Sequence, residues 1–156
     1  MSTPWTTAVD FPLLALVGVL SFVWAKLEIQ IEGPEGWAKN LPTWRVEKHW
    51  IADLVLGGAE ITGYHFWAFL ATLLFFHLPL TVQRWTVAGE ARAWGCQTLF
   101  WLLEDYLWFV LNPHYGWRAL NPQRVWWHRR WFWGWPANYW MMAPVGVVLY
   151  LAPVFF

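Results

Sequence analysis

From Ala93 to Leu111 the chain carries no formal charge except the adjacent pair Glu104-Asp105. As a helix rising about 1.5 Å per residue, this stretch crosses most of a ~30 Å hydrocarbon layer. An acid at that depth is costly unless it is paired, protonated or turned towards a polar cavity. The pair therefore marks where any chemistry has to be.

The rest of the chain agrees with a membrane setting. Only 13% of its 156 residues are charged and 58% are hydrophobic, against about 25% charged in an ordinary soluble domain. Aromatics reach 21%, with 17 tryptophans, and Trp and Tyr gather where hydrocarbon meets headgroups. The fold expected is an all-α membrane protein: a four-transmembrane-helix bundle in a single domain, with interfacial aromatic-rich loops. The helices are placed at about residues 6–25, 50–82, 93–112 and 137–156. The first is read as a retained span, because no basic segment precedes it.

Between the spans, residues 26–48 form a polar connection, with Leu27–Glu32 alternating like a short extended piece. Residues 83–92 make a short loop. Residues 114–136 set Arg118, Arg124, Arg129 and Arg130 among six tryptophans, a mixture suited to lying at headgroup level. Lys26, Lys39, Arg45 and Lys48 join those arginines on one side, while Arg84 and Arg92 stand on the other. This bias predicts a multi-pass protein of the cell (inner) membrane, with loops one and three cytoplasmic and both termini outside.

Formal net charge is zero, which removes the electrostatic basis for nucleic-acid binding. Cys96 is the only cysteine, so no intramolecular disulfide and no multi-thiolate zinc site can form. No catalytic triad, phosphate loop, HExxH or paired Glu-x-x-His is present.

On a continuous helix over residues 50–82, His49, Asp53, Glu60 and Tyr64 share one stripe, with His65 and His77 off it. In the next helix Gln97, Trp101, Glu104, Trp108 and Asn112 share a face. Antiparallel packing puts Glu60 and Glu104 at one depth, with His114 and His128 in the loop above. The expected site thus takes Glu60, Glu104 and Asp105 as catalytic residues. His49, Asp53, Glu60, Glu104 and His128 are the ligands for a divalent metal ion of unspecified identity. Arg124, Arg129 and Arg130 would contact a lipid or substrate headgroup. The blander alternative pairs Glu104 or Asp105 with Arg124 or Arg129, or with Gln97, Tyr64 or Asn112. His65 and His77 are taken as helix-packing histidines rather than haem or pigment ligands.

Two functions fit this pattern. One is a small membrane protein whose polar site opens at the cytoplasmic interface and acts on a lipid, isoprenoid or quinone. The other is a non-catalytic accessory subunit of a larger membrane complex, packing lipid, pigment or partner helices. Membrane lipids are the partners common to both, with a homo-oligomer or larger assembly open.

Overall fold

The computed structural model describes residues 9–47 and 49–155 and is mostly helical. Helix α1 covers Phe11–Glu32, α2 Trp50–Val55, α3 Gly63–Val82, α4 Val87–Leu111 and α5 Ala137–Phe155. Three of these, α1, α3 and α5, are long and apolar enough to cross a membrane. Helix α4 is longer still, but Glu90, Arg92, Glu104 and Asp105 make it more polar.

Local chemistry sets each boundary. Asp10 caps α1 by accepting from the Leu13 N–H at 2.9 Å, and Gly33 ends the helix at φ 66°. Thr62 caps α3 and Thr86 caps α4 in the same way. Helix α4 stops at Asn112 because the next residue is Pro113.

Helix α4 is the central element, packed against α1, α3 and α5. Its approach to α5 depends on missing side chains. A Cβ on Gly95 would lie 2.7 Å from the Tyr150 Cα, and one on Gly146 would meet Leu99 at 2.9 Å. Buried Arg92 fills the same seam, donating from Nε to the Tyr150 carbonyl at 3.2 Å and lying over the Tyr150 ring.

The connections that follow α1 and α4 fold at the same end of the bundle. In the first, β1 (Arg45–Val46) pairs antiparallel with β2 (Ile61–Thr62). In the second, a 3-10 turn at Trp117–Ala119 leads to the hairpin β3 (Trp131–Phe132) and β4 (Trp135–Pro136). Trp133 and Gly134 turn this hairpin with φ of 48° and 79°, the left-handed pair that a two-residue loop requires. Trp108, Phe109, Val125 and Trp127 form an aromatic core that ties this loop to α4, with Ala25 and Ile29 beneath.

Three expected boundaries need correction. Residues 27–32 are not an extended piece of loop but the last turns of α1. They continue a buried stripe through Leu13, Val17, Ser21, Ala25, Glu28 and Glu32 at helical spacing. Residues 50–82 are not one helix. Gly57 and Gly58 adopt φ of 64° and 89°, a conformation that breaks the α-helix after Val55, and a new helix starts at Gly63. Helix α4 starts at Val87, six residues before the expected Ala93, because Thr86 supplies a cap. The predicted start of the first helix, near residue 6, lies outside the described residues, as does Phe156.

Candidate functional site

The buried stripe of α1 ends in Glu28 and Glu32, one helical turn apart and only 3% and 6% exposed. Helix α3 begins beside them. Thr62 caps it, accepting from the His65 N–H at 3.2 Å, and the same hydroxyl lies 2.7 Å from His65 Nδ1. That contact turns His65 Nε2 towards Glu32 Oε1, 3.3 Å away. The adjoining Tyr64 stands beside Glu28. From α4, Glu104 is 2% exposed and reaches Glu28. Two carboxyl groups buried this close together require a proton on one of them or a cation beside both.

The loop after α1 completes the enclosure at some conformational cost. Gly36, Trp37 and Ala38 lie consecutively in the left-handed region, with φ of 63°, 50° and 51°. For the two non-glycine residues this costs on the order of 1–3 kcal/mol each. The turn brings the Ala38 N–H to Glu32 Oε1 at 2.6 Å and stacks Trp37 on the His65 ring, centroids 4.2 Å apart. The Trp37 indole donates to the Glu60 carbonyl at 2.9 Å, which anchors the loop to the segment before α3.

Glu28, Glu32 and His65 each present one ligand atom within 4.8 Å of the other two. Carboxylate oxygen with one imidazole suits zinc, manganese or iron, and the carboxylates alone suit harder cations. One oxygen of Glu28 and one of Glu104 are buried with no hydrogen-bond partner. Buried acceptors of that kind are rare unless something binds them.

Asp105 flanks this centre. Its Oδ2 accepts from the Tyr139 hydroxyl and lies 3.1 Å from His128 Nε2. The carbonyl of His128 is held by the Trp131 indole at 2.6 Å, while its Nδ1 is buried without a partner. Nearby in the same loop, burial and the negative charge of Glu35 raise the Tyr115 phenol above its ordinary pKa, so it stays neutral.

Of the residues selected from sequence, Glu104 lies in the centre, and Asp105 and His128 beside it. Glu60 does not pair with Glu104: its carboxylate is bound by Arg45. His49 caps α2, its Nδ1 accepting from Ile51 N–H at 3.2 Å, and Asp53 is exposed on that short helix. Arg124, Arg129 and Arg130 are exposed on the loop, with Arg124 over the Tyr115 ring and Arg130 directed to the Asp53 carbonyl. His77, at the other end of α3, binds the Leu73 carbonyl and Glu90.

The error at Glu60, His49 and Asp53 has one cause. A helical wheel drawn across the Gly57-Gly58 break assigns phases that the chain does not keep, so His65 was turned away from the site and Glu60 into it. Glu28 and Glu32 escape that reading for the opposite reason, since it ends the first helix seven residues early, at Ala25. The i, i+4 phase from Leu13 through Ala25 was the signal that could have found them.

Fold and site together define a class: a helical protein with three membrane-length helices, built around a buried carboxylate–histidine centre. Compared with known proteins, the chain matches no family model, no curated protein and no solved structure.

Proposed function

We propose that this is a multi-pass membrane protein whose Glu28/Glu32/His65 group, with Glu104, binds a divalent cation and uses it on an amphipathic substrate. Helix α4 joins the three apolar helices as a fourth span, because its mid-helix acid Glu104 faces the bundle rather than lipid. Loops 33–62 and 112–136 lie on the cytoplasmic side, where the Lys and Arg excess belongs, and their tryptophans sit at the interface. The centre is then about one to three turns below that surface, within reach of a lipid's polar end.

One observation carries this reading. Glu28 and Glu104 are buried against each other, each with an oxygen that no group among the described residues satisfies. A cation neutralises such a pair and fills those acceptors. His65, oriented by Thr62, is held as metal-bound histidines are, by a hydrogen bond to the nitrogen opposite the ligating one.

The test is elemental analysis of protein purified in lipid nanodiscs without chelator, followed by titration with Mn²⁺ and Zn²⁺. About one metal per chain is expected in the native protein and a large loss in the Glu28→Gln, Glu32→Gln and Glu104→Gln variants. If the native protein binds neither ion and the triple Gln variant keeps its phenotype and its assembly size, the acids are structural. The accessory-subunit reading would then stand in place of the cation.

A further inference from the structure

Against the outer side of this centre, between α1, α3 and the loop after α1, lies an open groove of about 590 Å³. Trp24, Leu27, Ile31, Trp67 and Ala68 form its apolar walls, and Tyr64 stands at the end beside the carboxylates. The groove and the centre share the same turns of backbone. On α1, Leu27 and Ile31 face the groove while the next residues, Glu28 and Glu32, face the centre. On α3 the neighbours Tyr64 and His65 divide in the same way. Tyr64 belongs to both, since it lines the groove and stands beside Glu28.

We infer that this groove seats the hydrocarbon chain of a long-chain alcohol and delivers its hydroxyl, past Tyr64, to the carboxylate–histidine centre. The inference rests on the cation reading for what happens to the hydroxyl, but not for the seating of the chain. Three features select this occupant. The groove is cut into two helices of membrane-spanning character, and Leu27, Ile31 and Trp67 are exposed beside it, so what fills it comes from the hydrocarbon layer. From Trp24 to Ile31 the groove follows about 10 Å of helix, room for a chain rather than for a compact ring system. None of its lining residues is charged. Nearby Arg45 is taken by Glu60 and Lys39 by Glu35, while the three carboxylates Glu28, Glu32 and Glu104 outweigh even one bound divalent cation and leave that end net negative towards an anionic head. A carboxylate or phosphate head therefore meets no cationic side chain in the groove lining, whereas a hydroxyl finds the Tyr64 phenol and the carboxylates as hydrogen-bond partners.

The test is photolabelling of the full chain in nanodiscs with a long-chain alcohol bearing a mid-chain diazirine, mapped by peptide mass spectrometry. Labels should concentrate on residues 24–31 and 64–68. Unlabelled alcohol should compete, and the fatty acid and alkyl phosphate of equal length should compete much less. Ala68→Phe fills the groove floor, and Leu27→Trp plugs it from an exposed position that folding tolerates. Each should lower labelling about tenfold, the effect of losing roughly two buried methylenes, while bound metal stays at the native level. Labelling spread evenly over all lipid-facing helices would overturn the inference. So would undiminished labelling in Leu27→Trp, or equal competition by the alkyl phosphate. Mapped labelling in a protein that binds no metal would uphold the groove and remove only the cation reading.

Discussion

Glu104 sits inside a helix, 2% exposed, with one carboxyl oxygen unsatisfied. An isosteric change separates its roles. Glu104→Gln keeps the volume and removes the charge, so a purely structural acid would be replaced with little loss or some gain in stability. The variant is expected to remain folded and to lose bound metal, checked by elemental analysis beside a melting curve. Thr62 acts one step back, by orienting His65. Thr62→Val should lower metal affinity about 10- to 100-fold, measured by competition with a fluorescent chelator. It also removes the α3 cap, at about 1 kcal/mol. Glu60→Gln is the contrast: its partner is Arg45 on a partly exposed pair worth about 0–1 kcal/mol, and bound metal should not change.

At the scale of elements, two close approaches hold the centre in place. The α4–α5 seam has no room at Gly95, where a Cβ would press on the Tyr150 backbone. Gly95→Ala should destabilise by about 1–3 kcal/mol as the helices separate, read as a lower thermal midpoint in nanodiscs. The turn that covers the site depends on Gly36, whose φ is 63° and whose added Cβ would meet the Trp127 ring at 2.6 Å. Gly36→Ala should pull Trp37 off His65 and the Ala38 N–H off Glu32. Metal loss with the helix content preserved by circular dichroism is the expected signature. Unchanged metal binding in that variant would mean that the strained turn is not part of the site.

For the whole molecule, the connections 33–62 and 112–136 converge at the end of the bundle that holds the site. In a Cys96→Ser background, cysteines placed at exposed Lys39 and Arg118 should react with an impermeant reagent only from the cytoplasmic side. One at exposed Arg84 should react only from the outside. Labelling of Lys39→Cys from outside would reverse the orientation. Cys96 is buried in the α1–α4–α5 core, so its removal by a near-isosteric serine should disturb packing by little more than the lost sulfur contacts.

Much was decided by the residues alone. Apolar runs of membrane length are a local property, since each helix satisfies its own backbone, and they located the body of α4 from Ala93 onward and the helix that begins at Ala137. An acid in such a run must be satisfied whatever the fold, which singled out Glu104 and Asp105. The excess of Lys and Arg sets the expectation that loops one and three share one side. What the sequence could not state was which groups satisfy Glu104. Helical periodicity carries phase only along unbroken helix, and the left-handed glycines 57 and 58, with the non-helical residues up to Thr62, erase it between Asp53 and His65. The partner of Glu104 is Glu28, on a helix far away in the chain, and its position follows from how α1 packs on α4. Seen from sequence, Glu28 and Glu60 are equally plausible polar residues near the ends of apolar runs. Only the packing of α1 and α3 against α4 buries one pair of carboxylates together and leaves the other acid to an arginine.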